Sequence, residues 1–210
     1  MISLSEILHT IAQALMIPCL IILLVLMAGA VWQIGDIVVE YIAERRKHKC
    51  NVPQLLRDVH TAGADGLAEL IENSGLLRRQ KKALLELAES RSLPKDTLTA
   101  LAERLLATEE ARNARTISVT DMIAKLGPMF GLLGTLIPLG PGIVALGQGD
   151  TVTLSESMNV AFDTTIAGVI SAAVASVISH IRKRWYNDDM VSLETLMEAV
   201  LEEVTSDVEG

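Results

Sequence analysis

Three stretches of this chain carry no Asp, Glu, Lys or Arg: 29 residues between Glu6 and Asp36, 24 between Lys125 and Asp150, and 18 between Asp163 and Arg182. A helix rises about 1.5 Å per residue, so roughly 20 apolar residues cross a hydrocarbon core of ~30 Å. The first stretch, densest over Ala14–Ile34, meets that length outright. The second, Leu126–Leu146, is long enough although rich in Gly and Pro. The third reaches spanning length once Val160–Phe162 are added, which brings Asp163 to membrane depth. A soluble core built around a hairpin of the last two stretches is the alternative.

The basic residues argue for membrane spans. All 18 Lys and Arg lie in Arg45–Lys125 or Arg182–Arg184, with none before the first stretch and none in Gly147–Asn159. The clusters Arg45-Arg46-Lys47, Arg112/Arg115/Lys125 and Arg182-Lys183-Arg184 abut the ends of the three stretches. Basic residues collect on the cytoplasmic side, so three crossings leave the N-terminus outside and the C-terminus inside. No basic stretch precedes the first span, and no small-residue cleavage site follows it, so we expect that span to be retained.

The expected fold is therefore an all-α membrane protein: three transmembrane helices with long cytoplasmic helical extensions, N-terminus out and C-terminus in. Its parts are a short outer segment 1–13, span one over 14–40, a cytoplasmic helical domain 41–121, span two over 122–146, an outer loop 147–159, span three over 160–181 and an acidic C-terminal helix 182–210. In the cytoplasmic part, Leu67/Leu70/Ile71, Leu84/Leu85/Leu87/Ala88 and Leu98/Leu101/Leu105/Leu106 recur at helical intervals. Gly63, Gly66 and Gly75 punctuate it. Pro94 marks a helix start with Asp96 favourable in the first turn, and no breaker follows before Gly127, so one helix is predicted to run into span two.

Half of the residues are hydrophobic, which excludes disorder, and the net charge of -8 excludes a phosphate-backbone partner. Eight acids and no base follow Arg184, so the tail holds the whole imbalance. Its Leu193/Leu196/Met197/Val200/Leu201/Val204 stripe predicts an amphipathic helix packed on the cytoplasmic bundle. Cys19 and Cys50 differ in depth and lack metal-ligand spacing. His9, His48, His60 and His180 form no cluster. Gly127–Gly134 is not followed by the Gly-Lys-Ser/Thr of a phosphate loop. No catalytic constellation, cofactor or metal site is expected.

The second and third spans carry small residues at helical spacing: Gly127, Gly131 and Gly134, then Ala161, Thr165, Gly168, Ala172, Ala175 and Ser179. Such stripes let helices approach closely in lipid. Thr135, Thr164 and Thr165 add hydroxyls that must face protein or water. Asp163 reads first as a cap, with the span beginning at Thr164; alternatively it is an intramembrane carboxylate of the kind that marks ion pathways.

Two motifs carry a resemblance. Pro128 with Gly131-Leu132-Leu133-Gly134-Thr135 is similar to the Pro-x-x-Gly-Leu-Leu-Gly-Thr signature of span two in the MotA/TolQ/ExbB proton-channel family. Ala161, Thr165 and Gly168 match that family's span-three pattern, Ala-Leu-x-x-Thr-x-x-Gly. The match covers about Leu126–Ser179, and the order of parts also agrees. The resemblance implies a multi-pass subunit of an inner or plasma membrane ring, typically a pentamer, whose spans two and three line a pore. That pore would hold single-span partners of the ExbD/TolR/MotB kind, each bringing an intramembrane Asp. Thr135 and Thr165 would face that acid. From the residues themselves, Thr164 and Asp163 are read as further pore-lining members of the ion pathway, and Gly127, Gly131, Gly134, Ala161, Gly168 and Ala172 as helix packing. Ion flow would then do mechanical work on a partner protein.

This sequence departs from the pattern at Pro138–Pro141 and at Asp163, a position commonly apolar in the family. A cytoplasmic segment of about 80 residues resembles TolQ/ExbB proportions more than those of a flagellar-type stator. A non-conducting scaffold that recruits cytoplasmic proteins is the reading from a different class.

Overall fold

Among the described residues, local sequence sets out six helices: α1 (Leu4–Ala14), α2 (Met16–Glu40), α3 (Val52–Asn73), α4 (Arg78–Glu89), α5 (Lys95–Gly147) and α6 (Thr151–Glu209). The computed structural model describes residues 4–42 and 51–209, and no strand occurs among them. Arg45-Arg46-Lys47, His48 and Cys50 lie outside the described residues. Among the described residues, three helical segments are long and apolar enough to cross a membrane: Glu6–Glu40, Lys95–Gly147 and Thr151–Ser206.

The helix predicted to run from Pro94 into span two is present. Its first turn closes with Thr97 and Leu98 N–H groups donating to the Pro94 carbonyl, and Asp96 sits in that turn. It continues through Gly127 and through Pro128, Pro138 and Pro141 to Gly147. Helix α6 begins inside the segment 147–159. The Asp150 carboxylate accepts from the Val152 and Thr153 N–H groups, both at 3.1 Å, and from the Thr153 hydroxyl. This is an N-cap, and the Thr153 hydroxyl and backbone hold the Asp150 carboxyl below the usual carboxylate range.

The expectation that Asp163 caps span three is thus corrected. Asp163 lies in the interior of α6, twelve residues beyond its first residue, because Asp150 has already satisfied the helix N-terminus.

The chain forms two compact units. The first contains 1–37 and 117–181, and so the middle of every apolar stretch. Leu26 and Ala30 of α2 pack with Ile123 of α5 and Ala175 of α6, and Cys19 and Leu23 pack with Ile137. Cys19 is a free, buried thiol whose Sγ donates to the Phe130 carbonyl at 3.4 Å. Many large apolar side chains here are exposed, Trp32 at 74% and Ile17 at 69%, as a helix surface meeting hydrocarbon requires.

The second unit contains 38–116 and 182–210. Its core joins Leu67, Ile71, Leu84, Leu87 and Leu98 to Leu193, Leu196, Met197 and Val200 of α6, so the predicted stripes, tail included, pack together. Gln80 ties α4 to α6 by donating to the Asp189 carbonyl at 3.0 Å. Arg182 and Glu40 form a buried ion pair at 3.3 Å, and Tyr41 stacks on Trp185 with ring centroids 6.2 Å apart. Gly63 kinks α3 at φ 64 and ψ 174, a conformation essentially restricted to glycine.

Candidate functional site

The antiparallel approach of α5 and α6 rests on residues without bulk. A Cβ on Gly127 would lie 2.7 Å from the Gly168 carbonyl oxygen and 3.1 Å from the Ala172 Cβ. One on Gly131 would lie 3.4 Å from the Gly168 Cα, and one on Gly134 would lie 2.6 Å from the Thr164 Cβ. Apolar side chains gain nothing by leaving lipid for each other, so close backbone contact is what holds such a pair. Ala172, against Gly127, is buried in the same seam, and Ala161 is also buried. Gly127, Gly131, Gly168 and Ala172 thus meet between α5 and α6, and Gly134 meets Thr164 there.

The three threonines separate. Thr164 is 5% exposed, packed on Gly134, and its hydroxyl donates to the Val160 and Ala161 carbonyls, both at 2.9 Å. It belongs to the seam. Thr135 and Thr165 instead line one recess of about 380 Å³, walled by Leu139 of α5 and by Met158, Ala161, Phe162 and Ile166 of α6. Nothing else lining it is polar. Asp163 is exposed and does not border the recess, since two residues along a helix turn the side chain by about 200° from Thr165.

Hydrogen bonding decides what this pair can do. The Thr135 hydroxyl donates to the Leu132 carbonyl at 2.7 Å, and the Thr165 hydroxyl to the Ala161 carbonyl at 3.0 Å. A hydroxyl has one proton to give and two lone pairs to accept with. With both protons committed to their own helices, the recess offers two acceptor oxygens in an otherwise apolar wall. Such a site suits a species that donates: a protonated acid, a hydronium or a dehydrated small cation. It carries no fixed charge of its own.

One contact at this seam has no forerunner in the sequence reading. The Ser179 hydroxyl, 3% exposed, donates to Asp121 Oδ1 at 2.5 Å and so bridges α6 to α5. Ser179 was visible as a member of the small stripe. Its carboxylate partner could be paired with it only once the register of the two helices was known. No group of three or more His, Cys, Asp or Glu side chains placed to hold a metal occurs among the described residues.

Together these features define a helical membrane protein whose last two spans close on a glycine seam beside a threonine-bearing recess. Residues 71–195, more than half of the chain, match the MotA/TolQ/ExbB proton channel family, and the chain belongs to that family. The matched region contains the seam and both recess threonines and reaches well beyond the two motifs into α3 and α4. It is a family of proton-channel-type membrane proteins, not of enzymes. No curated protein matches the chain.

Proposed function

We propose that this protein is the conducting subunit of a TolQ/ExbB-like inner-membrane complex that couples the ion-motive force to mechanical work on a partner protein. The observation that carries the reading is the shared recess of Thr135 and Thr165, whose hydroxyls both present acceptors. A single-span partner of the ExbD/TolR kind would place its intramembrane Asp there. When that acid is protonated it donates to a threonine oxygen; when it ionises it loses that bond and seeks water or a cation. One elementary charge crossing 100 mV releases ~2.3 kcal/mol, enough for a conformational step.

The basic clusters support an outside N-terminus, an inside C-terminus and a cytoplasmic location for residues 41–121. Copies of the chain would form a ring, a pentamer by resemblance, with the exposed apolar faces of the spans against lipid and neighbouring copies. In that ring Asp163, exposed in the isolated chain, would face a neighbouring copy, the partner or water, since a carboxylate facing lipid is costly. The test is reconstitution into vesicles with a single-span partner carrying a membrane acid. The wild-type complex should dissipate an imposed pH gradient. No flux with such a partner would contradict the reading and favour a scaffold.

A further inference from the structure

The recess threonines and the Asp121–Ser179 pair occupy one face of the α5–α6 hairpin. On α5, Asp121 precedes the recess residue Leu139 by 18 residues, about five full helical turns, and so shares its azimuth. On α6, Ser179 follows the recess residue Ala161 by the same 18 residues. Each also lies 14 residues from its recess threonine, Asp121 from Thr135 and Ser179 from Thr165, which is about 21 Å along the axis. Because the helices are antiparallel, both displacements point the same way, and the two side chains meet in a hydrogen bond. Ser176, exposed, lies one turn from Ser179 toward the recess.

We propose that Asp121, positioned by Ser179, is a second station for the transported ion, at the cytoplasmic end of the path that begins at Thr135 and Thr165. The inference rests on the conducting reading and adds a fixed acid belonging to this chain. Its ligand is the species the recess would release: a proton, or a small monovalent cation taken by carboxylate and hydroxyl oxygens. Ser179 occupies one carboxylate oxygen from a buried position. Lys125, one turn outward on α5, and His180 and Arg182, next to Ser179 and one turn beyond it on α6, are titratable or charged neighbours by register.

Ion flux is measured in membrane vesicles holding the chain in its native complex, with pH-gradient and sodium-gradient arms to distinguish the two ions. D121N, which can still accept from Ser179, should lower flux at least tenfold while complex size is unchanged. D121E should restore flux with a shifted pH profile. Flux of D121N within twofold of wild type overturns the assignment while leaving the threonine recess intact. Should D121N fail to assemble, S179A keeps the carboxylate and should move the pH midpoint of flux by at least half a unit; an unmoved profile overturns the proposal. Absence of wild-type flux would sink this inference together with the function it rests on, and so is separable from failure of the variant alone.

Discussion

Two adjacent threonines on one helix show how finely side-chain azimuth divides roles. Thr164 fills the notch left by Gly134, and Thr165 opens on the recess. Thr164→Val keeps the shape and removes a hydroxyl already satisfied by its own helix, so ion flux should stay within about twofold of wild type. Thr165→Val should abolish flux with assembly intact. Gly168 has no such tolerance: a Cβ there would lie 2.5 Å from the Gly127 carbonyl oxygen. Overpacking of this kind costs about 1–3 kcal/mol, and Gly168→Val should lower the thermal midpoint in detergent accordingly. The glycine stripe was legible because small residues at helical spacing have one physical use in lipid. The split between Thr164 and Thr165 was not: the spacing put Thr165 in the stripe, yet Thr164 is the one packed on Gly134, and only the angle at which α5 meets α6 assigns it to the seam.

Helix boundaries followed the strongest local signals. Pro94 and Asp96 announced the start of α5, and the absence of breakers as far as Gly127 announced its run into span two. The start of α6 was missed because Asp150 and Thr153 form a cap within a stretch read as connection, and Asp163 was taken for the cap instead. Hydrogen bonds from Thr153 and Val152 depress the Asp150 carboxyl. A group with a lowered folded-state pKa contributes stability above its unfolded value, near 4, and loses it as pH falls through the folded one. Protection of the Val152 and Thr153 amides, relative to their intrinsic exchange rates, should therefore fall below about pH 4, and Asp150→Asn, which caps without titrating, should remove that dependence. At Gly63, φ 64 with ψ 174 excludes a side chain without strain. Gly63→Ala should destabilise the chain by about 1–3 kcal/mol in thermal unfolding, even though nothing lies within 4 Å of a Cβ built there.

For the molecule as a whole, the apolar half of the composition divides between spans and the core of the second unit. In that core Leu193, Leu196, Met197 and Val200 are nearly inaccessible among side chains from α3, α4 and α5. Leu196→Ala should cost about 2–5 kcal/mol, read as a lowered midpoint, while ion flux per assembled complex is preserved. Periodicity revealed the apolar faces of this core but could not say that α6 is continuous from Thr151 to Glu209. That follows from a helix whose one internal glycine, Gly168, is packed against α5 and whose C-terminal half is held in the core of the second unit.

The proposed passage of ions through the Thr135–Thr165 recess is the point on which the function turns. It is tested most directly by the rate at which vesicles containing the assembled complex dissipate an imposed pH gradient, compared among wild type, Thr165→Ala and Thr165→Ser. The account predicts rapid dissipation by wild type, loss of at least tenfold in the alanine variant at unchanged complex size, and substantial recovery in the serine variant, which returns the acceptor oxygen. Equal rates for the alanine variant and wild type would contradict it.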